Sequence, residues 1–415
     1  MKYFTLVLFF AGFVFISCNK NNDPVLPDPD PLTNDSIIDP PAPVDSATGI
    51  VVVTYANLNG VVDNSLICLN ADGSLRWKND QFNGEVLAAP GYANGTLYVS
   101  SGIFRFTGPV GSNSYYSYGK VYAIDASNGS VKWSHLDSSL GSATPLATNS
   151  QVYLPQNGYI AGFNPTTGVL NWATLVTDGL PWTPLIDGDT LYTATAPMYT
   201  AYYSITALNV KTKKIIWTKP VGYNPPGGFK IVNNMLVLTT GAGALMALDK
   251  TTGMTKWTVS DQPYDAIHIA NGNTLFTFNH TSPLNLYAFS QTTGALQWKT
   301  NLKKSPFQFG GLNVYRNNLY FYAYNNDNTT YLQAVNPKTG DSLSRATITD
   351  RYENPLFVGN RVYAKKWWNN ATNNQLAVPQ VVILDATNFA LQRATDINAD
   401  QIKSIRVIGK SGVIY

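Results

Sequence analysis

Residues 123–133 read AIDASNGSVKW, and residues 247–257 repeat the same pattern as ALDKTTGMTKW. The pattern is a small residue, a hydrophobe, Asp or Asn, a turn that ends in Gly, and then Trp. It returns eight times at spacings of 39 to 56 residues. A period near forty with strand-like units indicates a propeller or another array of strand modules. In register, the Trp column of the eight copies contains Trp77, Trp133, Trp172, Trp217, Trp257, Trp298, Ser344 and Arg393.

Each repeat contains four short runs that are typical of β-strands. In the third repeat these runs are residues 143–147, 151–154, 159–163 and 169–172, separated by turns rich in Asn, Thr and Gly. Runs rich in Val, Ile, Tyr and Phe between such turns predict antiparallel hairpins. No long apolar period of 3.6 residues follows residue 48, so we expect few helices. The sequence therefore predicts an all-β fold, an eight-bladed β-propeller of four-stranded antiparallel blades.

The repeated residues have distinct physical roles. The Gly supplies the positive φ of the turn between the third and fourth strands. We expect the Trp ring to lie on the small residue at the head of its own motif and against the turn of the neighbouring blade. Phe389 and Arg393 replace the Gly and the Trp of the last copy, and Ser344 replaces the Trp of the seventh. The head positions are Cys68, Ala123, Gly162, Ala207, Ala247, Ala288, Ala334 and Ile383.

At these residues the chain resembles the PQQ-like, or quinoprotein-type, propeller repeat family with its tryptophan-docking motif. The resemblance covers about residues 50–415 and implies that the six motif tryptophans are structural docking residues. The chain departs from the pattern in a turn one residue shorter at residues 70–73, in Lys213 at a Gly position, and in the two final copies that lack Trp.

The closure of the ring admits two solutions. Residues 404–408 and 412–415 look like the first and second strands of a further unit, while residues 50–55 look like a second strand that lacks a first. A shared first blade, whose inner strand comes from the C-terminus, accounts for both ends. Seven blades with an extra hairpin is the alternative.

The N-terminus is typical of a targeting segment. Lys2 precedes an apolar run over residues 4–16, which is too short to span a membrane and suits a signal peptide. Ser17–Cys18 resembles a bacterial lipoprotein cleavage site, so we expect a signal peptide over residues 1–17 and lipidation of Cys18. A plain secretory signal is the alternative. Residues 18–48 are an Asp/Pro/Asn-rich tether that cannot pack a core, and residues 49–415 form the propeller.

The charge of the propeller is modest. Of 28 basic and 25 acidic residues, two lysines and six aspartates lie within residues 1–48, which leaves 26 basic and 19 acidic residues, or +7. The excess is spread over a large surface, and nucleic-acid binding is not expected. Cys68 occupies a small-residue head position, so it is expected to be buried rather than reactive.

Catalytic and cofactor motifs are sparse. Quinone-dependent members of the family use a calcium site built from Glu, Asn and Asp, and often a vicinal Cys pair, which this chain lacks. The only glutamates are Glu85 and Glu353, and both are expected in loops that leave a fourth strand. The three histidines show no metal-ligand spacing. We therefore expect no PQQ, no calcium, no metal site and no catalytic residue; a PQQ-dependent dehydrogenase is the third of the hypotheses for function.

The two faces of the predicted propeller differ in the length of the links between strands. Links from strand one to two are uniformly tight, for example Asn94–Gly95 and Asn317–Asn318, whereas several links from strand two to three are long and aromatic. Variable loops on a rigid scaffold are where binding sites usually lie, although such aromatics can also pack on each other to order the loops. The candidate binding surface comprises Tyr115, Tyr116, Tyr118, Tyr199, Tyr202, Tyr203, Trp367 and Trp368.

These observations favour a non-catalytic binding or scaffolding lipoprotein of the bacterial cell envelope. The resemblance implies outer-membrane protein assembly as its setting, because the family includes an eight-bladed lipoprotein with that role. The alternative is a surface glycan- or protein-binding lipoprotein of nutrient uptake. We expect a monomeric propeller that is lipid-anchored at the outer membrane, facing the periplasm or the cell surface, with an envelope protein or glycan as its partner.

Overall fold

The computed structural model describes most of the chain from residue 45 onward and shows only strands and the links between them. The described residues are 45–58, 61–82, 85–106, 115–137, 143–177, 179–196, 202–223, 229–261, 263–264, 269–279, 284–301, 308–324, 330–348, 352–366 and 378–415. They form 35 strands in eight sheets, and no helix occurs within them.

Eight antiparallel sheets follow one another along the chain, and we number them as blades 1 to 8. Strands β1 to β18 belong to the first four blades. Blade 1 contains β1 (Ala47–Leu58), β2 (Val61–Asp63), β3 (Leu66–Asn70) and β4 (Leu75–Asn79); blade 2 contains β5 (Val86–Leu87), β6 (Gly91–Ala93), β7 (Thr96–Phe106), β8 (Tyr115–Asp125) and β9 (Val131–Asp137); blade 3 contains β10 (Leu146–Ala147), β11 (Val152–Pro155), β12 (Tyr159–Phe163) and β13 (Leu170–Leu175); blade 4 contains β14 (Leu180–Pro181), β15 (Leu185–Asp187), β16 (Thr190–Ala196), β17 (Tyr202–Asn209) and β18 (Lys214–Tyr223).

The remaining strands form the second half of the ring and return to blade 1. Blade 5 contains β19 (Phe229–Val232), β20 (Met235–Thr239), β21 (Leu245–Asp249) and β22 (Thr255–Val259); blade 6 contains β23 (Ile269–Asn271), β24 (Thr274–Phe278), β25 (Asn285–Ser290) and β26 (Leu296–Asn301); blade 7 contains β27 (Gln308–Tyr315), β28 (Asn318–Tyr324), β29 (Thr330–Val335) and β30 (Ser342–Ile348); blade 8 contains β31 (Tyr352–Val358), β32 (Arg361–Lys366), β33 (Gln380–Asp385) and β34 (Leu391–Asp396); β35 (Gln401–Gly409) joins blade 1.

The C-terminal strand closes the ring. Strand β35 pairs antiparallel with β1, with Arg406 opposite Val51, so the C-terminus supplies the inner strand of blade 1. This confirms the eight-bladed fold and excludes the seven-blade alternative. The prediction that residues 412–415 form a second strand of that unit is wrong. They fold back on β35 instead, because Gly412 adopts a positive φ of 84° and the Tyr415 N–H donates to the Val407 carbonyl at 2.8 Å.

Each blade docks on the next through an aromatic row, which blade 2 shows clearly. Trp133 lies opposite Ala123 on the next strand, and Ala123 lies opposite Tyr98. The Tyr98 and Trp133 ring centroids are 6.0 Å apart. The Pro165 carbonyl of blade 3 accepts hydrogen bonds from the Trp133 Nε1 at 2.9 Å and the Tyr98 hydroxyl at 3.2 Å. Covering such a ring contributes about 4–6 kcal/mol.

The glycine of the next turn completes the contact. A Cβ at Gly168 would lie 2.5 Å from the Trp133 ring, and Gly168 has a φ of 71°, so no other residue fits without strain. Trp77, Trp217, Trp257 and Trp298 meet the next blade's glycine in the same way. Each of these four indoles also donates to a carbonyl of that turn, at 2.8–3.2 Å.

The boundary between blades 3 and 4 departs from this pattern both in the head residue below the indole and in the turn residue of the next blade. The turn of blade 4 carries Lys213, which keeps the positive φ at 60° but adds a side chain. Trp172 correspondingly lies directly on Gly162, where a Cβ would be 2.5 Å from the ring. Gly162, the smallest head residue of the eight repeats, therefore occurs at the boundary where Lys213 replaces the glycine of the docking turn.

The missing Trp of blade 7 has a structural explanation that the sequence did not suggest. Ser344 lies opposite Ala334 in the position of the indole. Phe389, in the turn of blade 8, points its ring into this region and meets Tyr320 at a centroid distance of 6.0 Å, like the Tyr98–Trp133 pair. The aromatic ring at the boundary between blades 7 and 8 therefore comes from the turn of blade 8 and not from the outer strand of blade 7. Phe389 adopts a φ of 59°, so the turn itself is unchanged.

Between blades 8 and 1 an arginine stem replaces the indole. A Cβ at Gly73 would lie 2.9 Å from the Arg393 Cδ and 3.1 Å from the Ile383 Cδ1, so these two side chains together fill the space. The Arg361 Nη1 donates to the Ala71 carbonyl at 2.7 Å, which substitutes for the indole hydrogen bond.

A clasp joins the first described residues to the last. The Asp45 carboxylate accepts hydrogen bonds from the Ser411 N–H at 3.0 Å and from the hydroxyls of Ser411 and Tyr415. The Lys410 N–H donates to the Ser46 carbonyl at 2.7 Å. Partial burial alone would raise the pKa of Asp45, but these hydrogen bonds outweigh it and lower the pKa.

The blade 7 exchange predicts a coupled pair of substitutions. Phe389→Gly should lose about 1–3 kcal/mol because it leaves a cavity, and Ser344→Trp should lose a similar amount by overpacking. The double variant restores a Trp–Gly pair and should be at least about 1 kcal/mol more stable than the sum of the single losses predicts. Urea unfolding of the four proteins measures this coupling. Strictly additive losses would contradict the exchange.

The clasp predicts a dependence of stability on pH. The folded pKa of Asp45 is lowered, so its contribution is present above the unfolded pKa and is lost as pH falls through the folded pKa. Asp45→Asn should therefore lower the melting temperature near pH 7, and the difference from the parent chain should shrink below about pH 4. A difference that is independent of pH between 7 and 3 would show that the charge of Asp45 does not hold the clasp.

Candidate functional site

The tight turns from strand one to strand two lie where the sequence predicted them, with one change of register in blade 7. The tight-turn face carries the links from strand one to two and from three to four, and the loop face carries the other links. Positive φ values at Asn94 and Gly95 define a two-residue hairpin turn in blade 2. In blade 7 the turn residues are Arg316 and Asn317, not Asn317 and Asn318, because Tyr315 pairs with Asn318.

Blade 2 extends a two-stranded arm from the loop face. The pairing of β7 with β8 continues to Phe106 opposite Tyr115, whereas β9 ends opposite Gly119. Four residue pairs thus project beyond the blade, for about 14 Å at ~3.4 Å per residue. We call residues 103–106 and 115–118 the blade 2 arm. The prediction of a long loop here is wrong for Tyr115, Tyr116 and Tyr118, which lie in β8 because their aromatic run continues the strand.

A buried carboxylate lies at the base of the arm. The side chain of Glu85, in the link from blade 1 to blade 2, accepts hydrogen bonds from the Ser101 hydroxyl at 2.6 Å, the Tyr122 hydroxyl at 2.9 Å and the Lys120 Nζ at 2.8 Å. Ser101 and Lys120 form the residue pair directly below Gly102 and Gly119, where the arm begins. The network therefore fixes the two strands of the arm to the preceding blade.

The protonation states suit this structural role. Burial first, and the hydrogen bond to Glu85 second, raise the pKa of Tyr122 to about 12. The hydrogen bond to Glu85 raises the pKa of Lys120. Tyr122 is therefore a neutral donor and Lys120 a cation at neutral pH, and both stabilise the buried carboxylate. The sequence offered one signal for this site, namely that Glu85 is one of only two glutamates.

The second glutamate is also paired with a lysine. The sequence predicted Glu353 in a loop, but β31 already begins at Tyr352, so Glu353 lies in this strand opposite Lys365. Its Oε2 lies 2.9 Å from the Lys365 Nζ. Each of the two glutamates therefore forms an ion pair with a lysine.

Blade 4 contributes the other described part of the predicted surface. Tyr202 is 48% exposed at the start of β17, and Tyr203 follows it with its ring against Trp182 at 6.2 Å. Trp182 is 40% exposed and was not singled out from the sequence, because it lies outside the repeated Trp column. Cys18, Tyr199, Trp367 and Trp368 lie outside the described residues, so the lipid anchor and the part of these three aromatic residues in the binding surface remain predictions.

Other titratable groups have structural roles. Asp125 accepts hydrogen bonds from the Ser127 hydroxyl at 2.5 Å and N–H at 2.9 Å, which lower its pKa to about 2. Burial raises the pKa of the Cys68 thiol to about 11, so it stays protonated and unreactive. Burial also lowers the pKa values of Lys230 and Arg406 near the hub.

Neither a metal-binding cluster nor a membrane-spanning helix occurs among the described residues. Within the ranges given above, no three His, Cys, Asp or Glu side chains come together in a way that could hold a metal ion. None of the described segments is a helix long and apolar enough to cross a membrane.

This architecture defines the class of the protein, an eight-bladed propeller of PQQ-like repeats. The chain belongs to the family described as "Outer membrane protein assembly factor BamB", whose model matches residues 39–180 and 156–372. BamB of Legionella pneumophila is 27% identical over 189 residues, which are 41% of this chain and 45% of that protein. The crystal structure of BamB from Moraxella catarrhalis has a similar fold, with a TM-score of 0.51, 18% identity, and coverage of 78% of this chain and 95% of that one.

A relative with an enzyme name is also similar. The tetrathionate hydrolase of Acidithiobacillus ferrooxidans is 25% identical over 344 residues, which are 72% of this chain and 66% of the hydrolase. The similarity thus spans about two thirds of the hydrolase and less than half of the Legionella protein.

The Glu85 network predicts a specific loss of stability. Glu85→Gln keeps the volume but removes the charge that Lys120 pairs with, and should lower the free energy of unfolding by about 1–3 kcal/mol. Asp189→Asn is the matched control, because it breaks the exposed ion pair with Lys211 and should change stability by less than about 0.5 kcal/mol. Denaturation followed by Trp fluorescence compares the two. Equal effects would show that the Glu85 network contributes no more than a surface pair.

Proposed function

We propose that this protein is a non-catalytic binding and scaffolding lipoprotein of the bacterial outer membrane, and that it assists the assembly of outer-membrane proteins. The family match over residues 39–372 is the observation that carries the proposal. Lipidation at Cys18 would anchor the chain, and the tether would hold the propeller away from the membrane. The tether ends before Asp45, because Asp45 and Ser46 bind the C-terminal residues and β1 begins at Ala47. In this proposal the protein acts without PQQ or calcium.

The blade 2 arm is the contact element in this proposal. A two-stranded hairpin is marginally stable alone, but the Glu85 network and the paired strands of blade 2 hold its base. The arm contains three tyrosines within residues 115–118, a residue type enriched at protein interfaces because its ring is rigid and amphipathic. The rest of blade 2 serves as a rigid mount for this hairpin.

Removal of the arm tests the proposal. Replacing residues 103–118 with Asn-Gly joins Gly102 to Gly119 through a tight turn and leaves the lower strand pairs intact. In this proposal the partner is the barrel-forming subunit of the machinery that assembles outer-membrane proteins. In cells of the native host, cross-linked pull-down should recover that subunit together with the parent chain. Recovery should fall at least five-fold with the armless variant.

A matched control and an enzymatic assay complete this test. Met254→Ala alters an exposed side chain in a tight turn of blade 5 and should leave recovery unchanged. An unchanged recovery with the armless variant would reject the arm as the contact, and failure of the parent chain to recover the subunit would reject the assembly role. The relative named tetrathionate hydrolase motivates the assay: the purified chain should not consume tetrathionate, and turnover would overturn the non-catalytic assignment.

A further inference from the structure

Residues 211–216 of blade 4 are all exposed and lie at the corner where the tight-turn face meets the rim of the propeller. Their sequence is KTKKII, and they run from the turn after β17 into the first residues of β18. Ile215 is 43% exposed and Ile216 is 47% exposed. Residues 202–223, which contain this hairpin, hold four lysines and no Asp or Glu. We call residues 211–216 the blade 4 basic corner.

Two of the three lysines of the corner have no carboxylate partner among the described residues. Lys211 is the exception, since its Nζ lies 2.8 Å from the Asp189 Oδ2. The other carboxylate of that neighbouring turn, Asp187, pairs with a lysine of blade 5. Neither Lys213 nor Lys214 forms an ion pair with a described side chain. The charge of these two lysines is therefore available to an anionic partner.

Lys213 adopts a conformation that suits glycine better than lysine. Its φ is 60°, and six of the eight repeats carry Gly at this position. The turn is needed for docking, because the Lys213 N–H donates to the Asn209 carbonyl at 2.7 Å and the Lys213 carbonyl accepts from the Thr174 hydroxyl of blade 3 at 3.2 Å. Both contacts use the backbone, so neither requires a lysine side chain. A strained residue whose side chain the packing does not need indicates a function.

The composition of the corner fits a membrane surface. Lysine ammonium groups are point charges on flexible stems, so they attract a layer of phosphate groups without a fixed geometry. A site for a single carboxylate or phosphate favours the bidentate geometry of arginine instead. Ile215 and Ile216 are exposed beside the lysines. Exposed apolar side chains next to cations are typical of contacts with the boundary between lipid headgroups and acyl chains.

The chain enters the propeller on the same face as the corner. The Asp45 carboxylate accepts a hydrogen bond from the Ser411 N–H, beyond the end of β35, at 3.0 Å. A Cβ at Gly359, in the tight turn of blade 8, would lie 3.2 Å from the Asp45 carbonyl oxygen. The first described residues and the basic corner therefore both lie on the tight-turn face. A lipid anchor at Cys18 would bring this face toward the membrane.

We propose that the blade 4 basic corner binds the surface of an anionic phospholipid membrane. The lysine ammonium groups lie against the headgroup phosphates, and the two isoleucines reach the boundary with the acyl chains. Each lysine near such a surface strengthens binding about five-fold, so the contact is weak alone and becomes effective on a chain that is already anchored. The loop face and the blade 2 arm then point away from the membrane. This orientation rests on the lipid anchor of the proposed function, whereas the affinity of the corner for lipid does not.

Vesicle binding by the unlipidated chain tests this proposal. Residues 18–415 with Cys18→Ser are mixed with vesicles of phosphatidylglycerol and phosphatidylethanolamine in equal parts, or with vesicles of phosphatidylcholine, and the bound fraction is measured by sedimentation. The chain should bind the anionic vesicles at low salt, and should bind the neutral vesicles at least ten-fold more weakly. An ionic strength of about 0.5 M should abolish the binding, because salt screens exposed charges.

The test variants carry residues that other blades have at the same positions, so the packing of the blades is kept. Lys213→Gly introduces the glycine of six repeats, and Lys214→Ser introduces the serine of blades 1 and 2. The double variant should bind anionic vesicles at least ten-fold more weakly, with a melting temperature no lower than that of the parent chain. Ile216→Gln, which introduces the glutamine of blades 6 and 8, should weaken binding at least three-fold.

A charge-matched control separates a site from a general effect of charge. Lys299→Gln together with Lys338→Gln removes two exposed lysines from blades 6 and 7, and should leave binding within two-fold of the parent chain. An equal loss in this control and in the Lys213→Gly, Lys214→Ser variant would show attraction by net charge and overturn the site at blade 4.

Three further results would overturn the proposal. They are absence of binding to anionic vesicles at low salt, equal binding to neutral vesicles, and capture of the chain by immobilised polyglutamate without binding to vesicles. The last result would assign the corner to an acidic protein partner. These measurements involve neither the lipid anchor nor an assembly partner, so their failure is distinct from failure of the proposed function.

Discussion

The contact between a blade and the next blade is the interaction on which the whole structure depends. A four-stranded blade has two apolar faces, and it is stable only when both are covered. The indole of the outer strand spans this boundary, since it lies on a small residue of its own blade and on a glycine of the following turn. Its N–H also satisfies a carbonyl of that turn, as in the bond from Trp77 to Ala126 at 3.0 Å. The repeated motif therefore consists of the residues that form the interface between two blades.

The constraint at that interface is the filled volume and not the identity of one residue. Blade 7 receives the ring of Phe389 from the opposite side of the boundary, and blade 8 fills the same space with the stem of Arg393. Blade 3 accommodates Lys213 with the smaller head residue Gly162. For blade 7 and for blade 3, the compensating residues lie in different repeats. This is expected when the packing unit is a pair of blades.

A rigid ring leaves its loop face free to vary. The tight-turn face carries the docking turns and the clasp, so changes there would disturb the packing of blades. The loop face carries the blade 2 arm, mounted on the buried Glu85 carboxylate, and the exposed rings of Trp182 and Tyr202. Exposed aromatic rings and a projecting hairpin have no role in closing the wheel, and so binding functions can reside there without loss of stability.

The sequence by itself determined the repeats, their strands and the six docking tryptophans, because period, turn chemistry and strand propensity are local properties. It left two solutions for the closure of the ring, and the pairing of β35 with β1 decided between them. Only the tertiary structure decided that Glu85 is buried beside Lys120, that Tyr115 continues a strand, that Phe389 replaces a distant Trp, and that Trp182 stays exposed. Each of these depends on contacts between segments that are remote in the chain or on solvent access at a blade boundary. No pattern within one repeat encodes such contacts.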